Sequence, residues 1–514
     1  MKIYKLILVS ILINIFFSCE DFLDEPKSKT TGVVPKSIED LEALLNDYGS
    51  FGREGAAEII YSTDDFALIT DLIDGHQPTI GIKNVQHGTW DTEFIITDDR
   101  PFWPKEWSKV FVANLVLSKL PDVNGSKDQK QQLEAEAHFV RVYSYFQLSN
   151  VYCLPYTDAN KNELGLPIKT STSFEESIAR ATLEETWDFM EADLLKAMEL
   201  TRTLTAKNGY NRIWRANTAA INGFAARFYL ALNDYVTAQA YAQNALDEHN
   251  QLRNYNTDMR FSSIPREVSV YIDGTQQNVS IQYPYTHDLQ TAPDDKFGWG
   301  ESYYYRYLNN SGWNYYPSPE LLDLYNKDYD LRYNFHVVEN YTYDRGAIGS
   351  SGKSAYSYPG YIFFFKSDIL SGPSVPEMIL IKAECQIRQG DFSGGIATAN
   401  ILRAARMDVN APENVRNLSA TSQPEALTKV LEERRREMPF VHRWYDIRRY
   451  NNNNDTSDDV IVTRTFYPYN ASTILIGETP INYTLEKNSR RFARPLPISD
   501  IVASEGVLQQ NQYQ

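Results

Sequence analysis

Two sets of side chains in this sequence have the types and spacing to do chemistry, and the first is aromatic. Trp299, Tyr303, Tyr304, Tyr305 and Trp313 crowd a stretch otherwise made of Gly, Asn and Ser, and Trp90 follows Asp71, Asp74 and His76 in a second glycine-interrupted segment. Flat rings beside carboxylates and an imidazole suit a ligand with apolar ring faces and hydroxyl edges, as a sugar has. Each ring taken singly reads equally well as core. As a group, with Gly298, Gly300 and Gly312 marking loops around them, they predict an exposed ligand face.

The second set is charged. Between Glu432 and Tyr450, helical spacing puts Glu433 and Glu437 four apart with arginines between them, and Arg443 and Asp446 three apart. Such pairs meet on one helix face. Phe440, Trp444 and Ile447 fall on another. A helix both strongly charged and strongly apolar clamps neighbouring elements, so Glu433, Glu437, Arg443 and Asp446 are expected to form a structural ion-pair network. Within it, Arg443 is expected to pair with Asp446, partly buried.

Catalysis finds little support. A glycosidase needs two carboxylates roughly 5–10 Å apart, and no local pattern singles out a pair. The 7 histidines are scattered, with no HExxH helix and no metal-triad spacing. There is no GxSxG elbow, no phosphate loop and no GxGxxG. The expectation is a binding protein, not an enzyme, with no cofactor and no metal. A formal net charge of −17 lacks the basic footprint that nucleic acid requires.

The elements that must position these residues begin after an export signal. Lys2 and Lys5 precede an apolar run from Leu6 to Phe17, shorter than the ~20 residues of a membrane-spanning helix. Residues 1–18 read as a signal peptide. Ser18-Cys19 resembles a bacterial lipobox, in which Cys19 becomes the acylated N-terminus, and Glu20-Asp21 resembles the surface-export signal of Bacteroidetes lipoproteins. Residues 19–31 suit a lipid-anchored tether, and residues 32–514 a single domain. Cys153 and Cys385 lie in helical apolar patterns and read as buried free thiols.

Within the domain, helical periodicity predicts pairs at about 105–152, 182–249, 376–407 and 424–450, the last as one helix from Pro424 to about Tyr450. From Ala226, small residues follow at Ala238, Ala242 and Ala245; from Ala383 the same offsets give Gly395, Ala399 and Leu402. This spacing lets antiparallel helices approach closely, as in a tetratricopeptide unit of about 34 residues. Irregular regions at about 50–104, 250–375 and 451–494 are left to form the ligand face. The fold class is mainly α: degenerate tetratricopeptide-like helical repeats with a large irregular loop-rich subdomain.

The whole chain resembles the SusD/RagB family of outer-membrane nutrient-binding lipoproteins of Bacteroidetes. The resemblance rests on Cys19-Glu20-Asp21-Phe22-Leu23-Asp24, Trp107 with Ala113-Asn114, Asp193-Leu194, Pro319-Glu320-Leu321 through Asp330-Leu331-Arg332, Ile381-Lys382-Ala383-Glu384, Glu433 to Arg449, and the closing Leu496-Pro497-Ile498 with Gln510-Asn511. One departure is Phe440-Val441-His442 before Arg443, where many members have Glu-Gly. The resemblance implies four tetratricopeptide-like pairs under a loop-built ligand face. It also implies a lid on a SusC-like TonB-dependent outer-membrane transporter, catching glycan at the cell exterior and passing it inward. A peptide-capturing member of the same scaffold is the alternative, and a protein-binding repeat scaffold a more distant one.

Overall fold

The computed structural model describes residues 35–513 apart from 57, 76–79, 97–101, 205, 208–209, 264, 273–274, 282–292, 310–313, 340–357 and 366–367. The signal segment, Cys19 with most of the N-terminal stretch, His76 and Trp313 therefore lie outside the described residues.

Helices start where the sequence supplies a cap. The long ones are α1 (Ile38–Leu45), α2 (Phe102–Lys119), α3 (Lys127–Tyr152), α4 (Leu183–Ala197), α5 (Thr218–Ala231), α6 (Tyr235–Glu248), α7 (Val375–Arg388), α8 (Phe392–Arg406), α9 (Gln423–Glu437) and α10 (Arg443–Tyr450). Ser37, Ser126 and Thr182 each close a capping box over α1, α3 and α4, satisfying backbone donors that no intrahelical carbonyl reaches. The α5–α6 and α7–α8 hairpins turn in the same way. A left-handed residue, Asn233 (φ 59°) or Gly390 (φ 99°), is followed by an aspartate, Asp234 or Asp391, whose side chain caps Thr237 or Gly394.

The helices stack in order, α2 on α3, α3 on α4, α5 on α6, α6 on α7, α7 on α8, and α9 on both α7 and α8. The small-residue register expected from sequence is what lets them close. Ala226, Ala238, Ala242, Ala245, Ala383, Ala399 and Leu402 are all fully buried. A side chain at Gly395 would stand 2.4 Å from the Ile387 side chain and 2.6 Å from the Ala383 carbonyl, so α8 meets α7 at a distance only glycine permits. The mainly α repeat architecture is as expected, and Cys153 and Cys385 are free and buried within it. No described helix is long and apolar enough to cross a membrane.

One helix differs from expectation. The single helix drawn from Pro424 to Tyr450 is two, because Pro439 cannot donate to the helical ladder and Phe440 adopts φ 67°. The break turns α10 away from α9, which gives the arginines of the stretch several directions to point.

The irregular regions are drawn together by small sheets. Strand β1 (Arg53–Ala56) pairs in parallel with β2 (Tyr307–Asn309), which pairs antiparallel with β3 (Asp368–Leu370). Residues 50–104 and 250–375 are thereby joined edge to edge. A hairpin of β4 (Val462–Phe466) and β5 (Ile481–Leu485) organises the third region.

Candidate functional site

The charged stretch is buried and paired, with most of its partners on other elements. Glu433 receives Arg332 (2.8 Å), Arg403 (2.7 Å) and Arg436 (3.0 Å); Glu437 receives Arg332 (3.0 Å) and Arg406 (2.9 Å). Burial would raise the Glu433 carboxyl, yet Arg332, Arg436 and Arg403 together hold it far below the usual carboxylate range. The pair of Arg443 with Asp446 expected from their spacing does not form. Arg443 reaches Asp64 in the first irregular region through two 2.7 Å bonds, while Asp446 is taken by Arg434 (2.8 Å) and Arg449 (2.9 Å). The reason is the break at Pro439, which swings α10 so that Arg443 faces Asp64 and leaves Asp446 against α9. Arg435 binds Asp65 at 2.6 Å and the Phe440 amide donates to the same carboxylate. The stretch thus pins loop segments onto the helical stack.

The network extends to the aromatic set in three links. Glu437 holds Arg406, Arg406 Nη2 donates to Glu301 Oε1 at 2.7 Å, and Trp299 Nε1 donates to Glu301 Oε2 at 2.9 Å. Trp299 is 7% exposed, with the Arg253 guanidinium 5.1 Å over its ring and Phe364 and Phe365 packed at 5.3 and 5.5 Å. It lines a cavity of about 150 Å³ with Tyr361, His336, Asp368 and His442. Small-molecule sites usually run to roughly 300 Å³ or more. The cavity has room for one ring, not a chain.

Its neighbours in sequence go deeper. Tyr303 is fully buried with its hydroxyl on the His249 carbonyl at 2.8 Å; Tyr304 packs against Phe139 and Tyr143 at 5.0 and 5.8 Å; Tyr305 is buried with its hydroxyl 3.3 Å from Asp368. The expectation of exposed platforms at Trp299, Tyr303, Tyr304 and Tyr305 is corrected here. Glycines on the facing segments let the chain come close to this stretch. A side chain at Gly372 would collide with the Tyr304 carbonyl at 1.9 Å, and Gly52 leaves room for the Tyr305 ring.

Trp90 is corrected on the same ground. It is 2% exposed, donates from Nε1 to the Ser62 carbonyl at 3.0 Å and lies under the Arg464 guanidinium. Its φ of 56° is one that bulky residues rarely take. Asp71 and Asp74, in contrast, are exposed as expected, on the short helix Thr70–Gly75. Trp90 and Trp299 sit in separate clusters.

Beside those aspartates the structure adds residues the sequence reading did not single out. The Tyr467 hydroxyl donates to both oxygens of Asp74 at 3.0 Å; the Tyr469 hydroxyl donates to Asp91 at 2.8 Å; the Tyr469 and Tyr483 rings stack at 5.8 Å, with Phe94 at 6.1 Å. The available signal was the alternation Phe466-Tyr467-Pro468-Tyr469 running out of β4, which places both tyrosines on one side. The half-buried rings of Tyr469 and Tyr483, with Tyr467 buried beside the exposed Asp74, form an edge that can stack on a ring face and hold hydroxyls.

With this architecture in place, the comparisons are direct. A SusD-like family model described as starch-binding and associating with the outer membrane matches residues 21–230, and a SusD family model matches residues 376–513. No curated protein matches the chain. Among solved structures, a SusD superfamily protein from Bacteroides vulgatus is 16% identical with a TM-score of 0.63, over 93% of this chain and 100% of that one. A SusD superfamily protein from Bacteroides thetaiotaomicron is 17% identical with a TM-score of 0.60, over 93% and 100%. A laminarin-binding SusD-like protein is 16% identical with a TM-score of 0.57, over 93% and 99%. Likeness at such identity establishes the shared fold, and the two family models place the sequence itself: this chain belongs to the SusD/RagB family.

Proposed function

We propose that the chain is a cell-surface lipoprotein, anchored through Cys19 to the outer membrane, that binds oligo- or polysaccharide and delivers it to a TonB-dependent transporter. The observation that carries this reading is the match of residues 21–230 to a family described as starch-binding and associating with the outer membrane. The laminarin-binding protein of the same fold supports the glycan class. Of the residues expected to meet ligand, Asp71 and Asp74 keep that role, at the edge completed by Tyr467 and Tyr469. Trp299 contributes from the small cavity through its indole rim, because both of its faces are covered. The role proposed is binding and not catalysis, in keeping with the family.

Isothermal titration of the mature chain with oligosaccharides and with oligopeptides tests the reading. Saturable heat with glycans and none with peptides is the expected result. The reverse outcome would move the protein to peptide capture on the same scaffold. Co-purification of a transporter with the membrane-anchored chain tests delivery, and its failure under mild detergent would remove that part.

A further inference from the structure

A wider cleft of about 550 Å³ opens elsewhere on the molecule, between α2, the loop 167–178 and the C-terminal segment around Ser504. Its volume lies within the roughly 300–1,000 Å³ of ligand sites. Along α2, Trp103, Trp107 and Phe111 recur every four residues, a rise of about 6 Å per step, so their side chains follow one wall from the buried Trp103 through the half-buried Trp107 to the open Phe111. Phe111 is 43% exposed. Opposite it, Phe174 is 96% exposed, the most open large apolar side chain among the described residues.

The loop carrying Phe174 is built to hold it there. The Glu176 carboxylate gathers the Thr170 amide (2.9 Å) and hydroxyl (3.1 Å), the Ser171 amide (3.3 Å) and hydroxyl (3.1 Å), and the Lys169 ammonium (3.2 Å). Asn114 Nδ2 ties the ring so formed to α2 through the Lys169 and Ser171 carbonyls, at 3.0 and 3.2 Å. An exposed phenyl on a loop with this many fixed points is preorganised for contact.

The chemistry of the occupant follows from charge and hydrogen bonding. The cleft has two charged lining residues, and neither is available: Lys169 is held by Glu176, and Asp500 is already engaged. The loop's amides at Thr170, Ser171, Ser173 and Glu175 are bonded within the loop, which withdraws four backbone donors from an extended peptide. The Trp107 Nε1–H has no acceptor among the described residues. An uncharged occupant with apolar ring faces and hydroxyl acceptors matches all three features.

We propose that this cleft is a second carbohydrate site, which takes several consecutive sugars of a neutral glycan along the Trp107–Phe111 wall of α2, with the fixed Phe174 ring facing them from the loop. It rests on the reading that the protein binds glycan, and adds a chain-length-dependent site remote from Trp299 and Asp74.

The test is an array of neutral and acidic glycans of graded length, with peptides alongside, probed with the mature chain, with the Phe111→Ser/Phe174→Ser double variant and with Trp107→Phe. Both phenylalanines are solvent-exposed, so the double variant should unfold at the wild-type midpoint. The expected result is at least a tenfold loss of retention on neutral chains of six or more sugars, a smaller loss for Trp107→Phe, and unchanged retention of mono- and disaccharides. Wild-type retention of long chains by both variants would overturn the second site and leave glycan binding standing. Retention on acidic glycans alone would overturn it on charge. Wild-type retention on peptides alone, or on nothing, would overturn both readings.

Discussion

The charged stretch Glu432–Tyr450 and the aromatic stretch Phe297–Tyr307 reach the same interior by opposite means. In the first, buried carboxylates are met by arginines, most of them from other elements, as Glu433 is by Arg332 and Arg403 beside Arg436 of its own helix. In the second, rings pack on rings and single hydrogen bonds hold polar tips, as the His249 carbonyl does for Tyr303 and Glu301 for Trp299. Charge density therefore marked the clamp, and aromatic density marked what is clamped. The two meet at Arg406, which binds Glu437 on one side and Glu301 on the other.

Acid should strike both regions at once, with the largest effect. His336, stacked on Tyr361 in the aromatic region, and His442, at the start of α10, are each pushed down to about 3, chiefly by burial. The folded state keeps them neutral while the unfolded chain takes protons near pH 6.5. Stability is therefore full above that pH and falls as pH drops toward 3, by roughly 3 kcal/mol per histidine at pH 4. Glu377 and Glu384, held to about 2 because Arg227 and Arg449 outweigh burial, extend the loss from pH 4.5 downward. Urea unfolding between pH 7 and 4 measures it. A flat profile would mean that neither interior is dry.

Glu433→Gln tests the clamp alone. It leaves Arg332, Arg403 and Arg436 without their shared carboxylate, and uncompensated buried charge costs on the order of 3–5 kcal/mol. The denaturation midpoint should fall with glycan affinity unchanged in the folded fraction. A loss under 1 kcal/mol would show water reaching the arginines.

Trp299→Ala tests what is clamped. As a core ring its removal should cost about 3 kcal/mol and leave Glu301 with an unused oxygen. Had Trp299 been an open platform, stability would hold and affinity alone would fall, so unfolding and titration on one variant separate the two roles.

The difference between the regions also explains what the sequence could tell. Helix positions were legible to within a few residues because apolar periodicity, caps such as Ser126 and Thr182, and the paired turns at Asn233-Asp234 and Gly390-Asp391 are local signals. That Glu433 and Glu437 would be structural was legible from charge on an apolar helix. Their partners were not, since Arg332 lies 101 residues from Glu433 and no local rule joins them. The aromatic stretch misled because glycine serves two purposes. Gly372 is small so that the Tyr304 carbonyl can approach, and Gly52 so that the Tyr305 ring can enter, which leaves the same letters in sequence as an open loop. The Asp74 edge was half legible: the carboxylates were named, but the tyrosine that orients one of them comes from β4, 393 residues later.

That edge supplies the smallest and most discriminating test. Tyr467→Phe removes one hydroxyl that donates to both oxygens of an exposed carboxylate, a loss of about 1 kcal/mol or less, because water replaces the donor. Neither interior is touched, so the unfolding midpoint should scarcely move. If Asp74 meets ligand, freeing its carboxylate should weaken glycan binding several-fold, and Asp71→Asn on the same exposed helix face should act in the same direction. Titration of both variants decides it. Unchanged affinity in the two would leave the indole rim in the Trp299 cavity as the remaining contact among the described residues named from sequence, and would move the proposed recognition among them to the buried aromatic region.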